Sequence, residues 1–307
     1  MTAREFVGQG HSIQTVLRSA GVAESTFYYA PRAGRRGRTA TTTTNDANGR
    51  TWSEAEVVAL IEEYLGQEFV DDGYVKVAKW LRKEHGLQIN KKKVYRIMRE
   101  YRLLNGRPER QASRRQWVDQ LVPTPGNAFE HLEFDIKYMH IRGQRRNAMM
   151  LTVIDVKSRF VIGWLMQWSI KKEDVVALFQ DVLRALPGVA RIIVRSDNGS
   201  QFVSHMVREH FTRTGIEHEF TRPATPEQNA HIESYHSIVE RVICKQYAFT
   251  DLRHANDVLT RWVAYYNHKR LHSGIGYIAP VEYLQANNVS LPSIALTMAR
   301  QTSFFIN

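Results

Sequence analysis

The order of extended and helical patterns in the second half of the chain restricts the fold more than any other feature. Three extended stretches come first, at 131–141, 147–157 and 159–167, each rich in Val, Ile, Phe, Tyr, Leu or Met. Helical and extended patterns then alternate, and they occupy 171–186 (helix), 190–196 (strand), 204–214 (helix), 216–221 (strand), 227–247 (helix) and 251–272 (helix). This order predicts an α/β domain that begins with an antiparallel meander.

The first fifty residues have a different character. Residues 12–30 are predicted to form two short helices broken at Gly21, which would give a short helical segment over 1–30. Residues 31–50 consist largely of Arg, Gly, Ala, Thr and Asn and contain almost no large apolar side chain. Such a stretch cannot bury enough surface to order itself, so we expect a flexible linker there.

A helix-turn-helix pattern lies within residues 51–125. Ser53 and Glu56 have the spacing of a capping box, which predicts a helix through about residue 65. Two further helical patterns, at 74–85 and 91–101, are separated by a short turn. A helix, a tight turn and a second helix form a shape that DNA-binding proteins use, so we expect a small helical DNA-binding region and a basic linker here.

Positive charge is the main compositional signal. The chain has 42 Lys and Arg residues against 31 Asp and Glu, with an isoelectric point of about 9.7, which favours a polyanionic partner. Basic residues are dense on and after the last of these helices, and the candidates for phosphate contact are Lys91, Lys92, Lys93, Arg96, Arg99 and Arg102. The alternative is that these side chains only form a solvated helix face.

Several protein classes are excluded by composition. Hydrophobic residues make up 43% and charged residues 24% of the chain, which is ordinary globular usage. The single cysteine, Cys244, cannot form an intramolecular disulfide or a cysteine-rich zinc site. No apolar run is long enough for a membrane span and no signal peptide opens the sequence, so we expect a soluble intracellular protein without a membrane partner.

Three carboxylates occupy positions from which a sheet could present them together. Asp135 lies in the first strand, Asp197 ends the fourth, and Glu233 lies in the helix after the fifth. Two Asp and one Glu suffice to bind a pair of Mg²⁺ ions for phosphoryl transfer. Taken singly, each also has a structural explanation: a cap or ion pair for Asp135, turn chemistry for Asp197 and a solvated helix position for Glu233.

Sequence motifs around these carboxylates resemble those of a known family. The run Arg-Ser-Asp-Asn-Gly-Ser-Gln-Phe at 195–202 is similar to the second-aspartate motif of retroviral-integrase-like transposases, and the segment 223–234 is similar to their glutamate motif. Between Asp197 and Glu233 lie 35 residues, which agrees with that pattern. The block at 265–273, followed by Pro280 and Tyr283, resembles the terminal block of the IS-three family of bacterial insertion-sequence transposases.

The resemblance implies an RNase H-like α/β catalytic core preceded by a helix-turn-helix domain. It implies Mg²⁺ dependence with two ions, Mn²⁺ being an alternative, and DNA cleavage and joining without a covalent protein–DNA intermediate. By motif position Asp135, Asp197 and Glu233 match the catalytic and metal-binding triad, with Asp135 bridging both ions. Asn198 and Gly199 are expected to shape the exit from the strand, where glycine tolerates a positive φ.

The same resemblance suggests further DNA contacts, each with a structural alternative. Gln228 and Asn229 open the glutamate helix, where they could meet a phosphate or cap the helix. The residues of the terminal block could either contact DNA or anchor their own helix, and they are Asn267, Arg270 and His272.

One position departs from the family pattern. Many relatives have Lys or Arg seven residues after the glutamate, where this chain has Glu240. On a regular α-helix seven residues return to within about 20° of Glu233, whereas Arg241 lies about 80° away. Arg241 is the candidate substitute, although the contact could also have moved to another element.

These inferences define an expected organisation and function. The expected segments are 1–30, 31–50, 51–125, a catalytic core at 126–290 and a tail at 291–307. The leading hypothesis is a bacterial, nucleoid-associated transposase that acts as a homo-oligomer on insertion-sequence ends and target DNA. By resemblance the chain is the second reading-frame product, which a first-frame product would accompany as a fusion or an associated chain. The alternatives are a catalytically silent DNA-binding regulator and a structure-selective nuclease.

Overall fold

A computed structural model describes residues 2–29, 41–104, 125–186, 188–221 and 226–292. The chain divides into two compact units, 1–42 and 43–307. Within the described ranges no helix has both the length and the apolar character that crossing a membrane requires.

The first unit contains three short helices. They are α1 (Ala3–Gly8), α2 (Ile13–Ala20) and α3 (Glu24–Phe27). The predicted break is confirmed at Gly21, which ends α2 with a φ of 63°, a conformation that glycine adopts at little cost. Arg4 in α1 donates a hydrogen bond of 3.1 Å to the carbonyl oxygen of Phe27, which ties the first helix to the third.

Part of the segment expected to be a flexible linker is a β-hairpin. Residues 31–40 lie outside the described ranges, but β1 (Thr43–Asn45) pairs antiparallel with β2 (Thr51–Ser53). The Asp46 carboxylate accepts hydrogen bonds from the backbone of Asn48 and Arg50 and from the indole of Trp52. Composition was misleading here because polar bonds around Asp46 and the packing of Trp52 against the core of the following helices order the hairpin.

The helix-turn-helix pattern is confirmed. The three helices are α4 (Glu54–Leu65), α5 (Tyr74–His85) and α6 (Lys91–Glu100). The predicted capping box at Ser53 is present, and Asn90 caps α6 by accepting a hydrogen bond of 2.7 Å from the backbone of Lys92. The three helices enclose a core of their own, which includes Val57, Ile61, Val77, Leu81, Val94 and Ile97.

A five-stranded mixed sheet forms the centre of the catalytic core. Its strands are β3 (His131–Met139), β4 (Ala148–Asp155), β5 (Val161–Gln167), β6 (Ile192–Ser196) and β7 (Ile216–Phe220). The order is β5-β4-β3-β6-β7, with the first three strands antiparallel and β3, β6 and β7 mutually parallel. The predicted meander and the two later strands are therefore confirmed.

Helices cover both faces of this sheet. They are α7 (Lys172–Ala185), α8 (His205–Thr214), α9 (Ala230–Val239), α10 (Leu252–His268) and α11 (Pro280–Ala286). Phe134 of β3 packs with residues of α7 and α8, whereas Met139 packs with residues of α9 and α10. Because side chains alternate along a strand, Glu133, Asp135 and Lys137 lie on the same face as Met139.

The two long helices predicted at 227–247 and 251–272 differ from the observed ones. A 3₁₀ turn, Pro226–Asn229, precedes α9, and a π-helical segment, Glu240–Cys244, continues it. The second of them, α10, ends at His268, because the following residues turn back and His272 pairs with Ile278 in an isolated bridge. The 3₁₀ turn has four residues and the π segment five, which is too few for their own periods to show in the sequence pattern.

Candidate active site

The two aspartates come from neighbouring parallel strands. Glu133 of β3 pairs in register with Arg195 of β6, and Asp135 and Asp197 each follow two residues later. Partial burial raises the pKa of the Asp197 carboxyl, and the negative charge of Asp135 raises it further. The structure therefore brings these two carboxylates close enough to interact.

Local contacts orient each aspartate. Oδ1 of Asp135 accepts a hydrogen bond of 2.7 Å from the backbone of Ile136, and Oδ2 lies 3.5 Å from Nδ1 of His236 in α9. Oδ1 of Asp197 accepts a hydrogen bond of 2.9 Å from the backbone of Gly199. Each carboxylate is thus held by a backbone N–H group one or two residues further along the chain.

The role expected for Gly199 needs correction. It is not among the glycines with positive φ, so the left-handed conformation that we expected is absent. A Cβ at this position would lie 2.9 Å from the Gln201 amide nitrogen and 3.1 Å from Oδ1 of Asp197. Glycine is needed here for space beside the carboxylate, while Asn198 donates a hydrogen bond of 2.8 Å to the carbonyl oxygen of Thr221.

Glu233 lies in the first turn of α9 and its side chain is exposed. Among the described residues, no group of three or more His, Cys, Asp or Glu side chains is placed to hold a metal ion. The structure therefore pairs Asp135 with Asp197 without gathering all three carboxylates into one ligand set.

The start of α9 is attached to the sheet by two residues that the sequence did not single out. Oε2 of Glu133 accepts hydrogen bonds from the backbone of His231 (2.9 Å) and Ile232 (2.8 Å). Arg195 donates a hydrogen bond of 2.8 Å to the carbonyl oxygen of Gln228. Burial raises the pKa of Glu133 to about 7, against the opposing effect of the two N–H groups. Arg195 is the first residue of the motif at 195–202, whereas the one signal for Glu133 is its position two residues before Asp135.

Gln228 and Asn229 occupy the turn before α9, and both are buried. The side chain of Asn229 makes no capping hydrogen bond, although Asn229 stands at the N-cap position. The capping alternative for Asn229 is therefore wrong, and DNA contact by these two residues stays a prediction.

The position seven residues after Glu233 is filled in an unexpected way. Glu240 begins the π-helical segment, so the angles of a regular α-helix do not apply to Arg241 beyond it. Glu240 forms an ion pair with Lys137 of β3, with 2.9 Å between Nζ and Oε2. Arg241 instead donates a hydrogen bond of 2.7 Å to Asp71, in the loop before α5.

The three candidate residues of the terminal block make contacts within the protein, although other residues of the block are exposed. The side-chain amide of Asn267 makes two hydrogen bonds of 2.9 Å with the backbone of Val161 in β5. Arg270 is 3% exposed and donates a hydrogen bond of 2.6 Å to Asp71. The ring of His272 packs edge-on against Tyr266. These contacts support the anchoring alternative for all three residues, and DNA contact by them stays a prediction.

The basic side chains of α6 fall into two groups. Lys93 donates a hydrogen bond of 2.5 Å to the carbonyl oxygen of Thr43, and Arg96 forms ion pairs with Glu54 and Glu100. The exposed group comprises Lys91, Lys92, Arg99 and Arg102. Because the side chains of the exposed group face solvent, that group is the better candidate for phosphate contact.

Comparison with protein families agrees with both parts of the described structure. The Integrase core domain family matches residues 126–226, and a second family with the same description matches residues 214–280. The HTH-like domain family matches residues 54–111.

Two relatives with similar sequences are insertion-element proteins. The uncharacterized 39.2 kDa protein of insertion element IS476 from Xanthomonas euvesicatoria is 31% identical over 242 residues, covering 77% of this chain and 68% of that protein. The transposase InsD for insertion element IS2D of Escherichia coli (strain K12) is 25% identical over 305 residues, covering 92% of this chain and 94% of that protein. A crystal structure of the catalytic core domain of BIV integrase matches at a TM-score of 0.38 and 16% identity, covering 52% of this chain and 97% of that chain.

A mixed α/β core that matches the Integrase core domain family, preceded by an HTH-like domain, defines a transposase or integrase-type enzyme. The chain belongs to the insertion-sequence transposases with an integrase-like, RNase H-type core, whose activity is DNA transposition.

Proposed function

We propose that this transposase nicks the ends of an insertion sequence and transfers the resulting 3′-hydroxyl to DNA, with Asp135, Asp197 and Glu233 binding two Mg²⁺ ions. The observation that carries this proposal is the pair of like-charged aspartates on neighbouring parallel strands. Two carboxylates held against their own repulsion favour a bound cation, which would remove that repulsion.

The donor set fits a divalent cation. Asp135 and Asp197 offer only oxygen atoms, which both Mg²⁺ and Mn²⁺ accept. When bound, the cations would stabilise negative charge on the phosphate and lower the pKa of the attacking hydroxyl. By its motif position Asp135, in the middle of β3, would contact both cations, while the backbone of Gly199 orients Asp197. Glu233 would complete the site from the first turn of α9.

The DNA partners follow from charge and exposure. Lys91, Lys92, Arg99 and Arg102 form an exposed basic group on and just after α6, suited to the phosphate backbone of an end sequence. Gln228 and Asn229 lie directly before the helix of Glu233, and because both are buried, their contact with DNA near the reacting phosphate would require this turn to open. We further propose that the protein acts as a homo-oligomer that holds two ends, with a first-frame product fused or associated.

The test is a strand-transfer assay with a labelled, pre-cleaved insertion-sequence end and a plasmid target. Asp135→Asn, Asp197→Asn and Glu233→Gln should each reduce joined product by at least about a hundredfold, because each removes one anionic ligand. Glu209→Gln, an exposed change of the same charge on α8, is the matched control and should join strands like the wild type. Chelation of divalent cations should abolish joining by the wild type.

Two other functions predict different products. A catalytically silent DNA-binding regulator would bind DNA without cutting or joining it, and the triad variants would bind DNA like the wild type. A structure-selective nuclease would cut strands without joining them. Joining near the wild-type level in any triad variant would contradict the metal assignment.

A further inference from the structure

Strand β3 and helix α9 contact each other at three successive levels. Two residues along a strand span about 6.8 Å, and four residues along a helix span about 6 Å, so the two elements can stay in step. The contacts are Glu133 with the backbone of His231 and Ile232, Asp135 with His236, and Lys137 with Glu240. The helix of Glu233 therefore runs alongside the strand of Asp135 in a defined register.

Glu133 makes the first of these contacts from a fully buried position, with 0% exposure. Burying a carboxylate is costly unless it is hydrogen-bonded, and its Oε2 receives both N–H groups. The first N–H groups of a helix lack partners within the helix, and here the side chain of Asn229 provides none. Glu133 thus supplies the acceptor that the N-cap residue would ordinarily supply, but it does so from the sheet.

Arg195 holds the other side of the same turn. It lies two residues before Asp197 on β6, just as Glu133 lies two residues before Asp135 on β3. Because strand side chains alternate, Glu133 shares a face of β3 with Asp135, whereas Asp197 follows directly after the end of β6. Glu133 accepts hydrogen bonds from the first turn of α9, and Arg195 donates one to the carbonyl oxygen of Gln228, immediately before α9.

We infer that Glu133 and Arg195 are positioning residues, which attach the start of α9 to the two strands of the aspartates and so set the place of Glu233. This inference rests on the proposed function of the triad. A shift of α9 by one residue would turn Glu233 by about 100° around the helix axis. Two bonds from Glu133 and one from Arg195 oppose such a shift.

The first experiment reads the helix directly, by hydrogen–deuterium exchange of the full chain in peptides that cover 226–240. Glu133→Met removes the acceptor with little change in volume, and exchange at the start of α9 should rise by about tenfold or more. Glu133→Gln keeps one carbonyl oxygen for both N–H groups and should restore protection to within about threefold of the wild type. Asp181→Asn, a buried acid on α7, is the matched control and should leave these peptides unchanged.

The second experiment reads the metal site without turnover, by titration of Mn²⁺ followed by electron paramagnetic resonance. Glu133→Met should raise the Mn²⁺ dissociation constant about fivefold or more, while Glu133→Gln stays close to the wild type. In strand transfer Glu133→Met should lower kcat more than it changes KM for the DNA end, since the exposed basic side chains of α6 remain. Should Glu133→Met fail to fold, Arg195→Met provides the same test from the less buried partner.

The outcomes separate this inference from the proposed function. Wild-type exchange and Mn²⁺ affinity in both Glu133→Met and Arg195→Met, in a wild type that joins strands, would overturn the positioning role alone. A wild type that neither binds Mn²⁺ nor joins strands would overturn the proposed function, whatever the exchange of α9. Faster exchange without rescue by Glu133→Gln would overturn the hydrogen-bonding explanation.

Discussion

Lys137 on the strand of Asp135 and Glu240 at the end of the helix of Glu233 form an ion pair of 2.9 Å. The resemblance led us to expect Lys or Arg at position 240, where this chain has Glu240. The basic side chain at this place is Lys137, which belongs to β3. The Lys137 ammonium holds the pKa of Glu240 below its usual range, both by hydrogen bonding and by its charge. The charge of Lys137 is therefore paired with that of Glu240, and the two side chains are neutral as a pair.

Exchanging the two charges tests whether the pair acts as a unit. Lys137→Glu and Glu240→Lys each place like charges opposite one another, and each should lower the free energy of unfolding by about 0.5–1 kcal/mol. The double variant Lys137→Glu/Glu240→Lys should recover most of this loss, as measured by urea unfolding of all four proteins in a double-mutant cycle. A coupling free energy near zero would show that the pair contributes nothing measurable.

The buried contact between Asp71 and Arg270 predicts a much larger effect. Burial opposes ionisation of Asp71, but the guanidinium groups of Arg270 and Arg241 outweigh it and hold the pKa of Asp71 below its usual range. Asp71→Ala leaves the guanidinium of Arg270 buried without this partner, and should cost about 3–5 kcal/mol of unfolding free energy. Arg241→Ala removes a half-exposed partner and should cost less than about 1 kcal/mol. Equal costs for the two variants in chemical denaturation would contradict this assignment.

His272 predicts a loss of stability in acid. Burial, together with the positive charges of Arg270, Lys76 and Arg159, lowers its pKa to about 2. The unfolded chain binds a proton at this histidine below pH 6.5 and the folded chain does not, so stability falls as the pH drops through that value. At pH 5 this histidine should lower the free energy of unfolding by about 2 kcal/mol relative to its value above pH 6.5, at about 1.36 kcal/mol per pH unit. His272→Phe keeps an aromatic ring against Tyr266 and should lose that much less stability than the wild type between pH 7.5 and pH 5.

Most of the fold could be predicted from local patterns in the sequence. The caps at Ser53 and Asn90, the break at Gly21 and the alternation along the strands depend on neighbours within a few residues, so each could be predicted from sequence. The hairpin around Asp46 could not, because its order comes from contacts with a distant turn: Ala47 donates to the carbonyl oxygen of Gly86. Low hydrophobicity is a reliable sign of disorder only where no such partner exists.

The candidate site could likewise be predicted only in part from the sequence. Asp135, Asp197 and Glu233 were identified by motif, and the structure places the two aspartates together. Glu133 was missed because its partners lie 98 and 99 residues away, and nothing in the sequence pairs a strand carboxylate with backbone N–H groups at that distance. Arg270 and Asp71 are likewise 199 residues apart. Long-range polar pairs need the fold before they can be recognised.

The division of the basic side chains on α6 predicts how DNA binding depends on salt. Lys91, Lys92 and Arg99 are exposed, and each one that contacts a phosphate releases a counterion on binding. Changing any of them to Ala should reduce the slope of log K against log salt by about 0.9, with stability unchanged. Arg96→Ala breaks the pairs with Glu54 and Glu100 and should instead destabilise the helical unit. Titrating duplex DNA at several salt concentrations, with thermal melting of each variant, measures both effects. An unchanged slope in all three exposed variants would place the phosphate contacts on another surface.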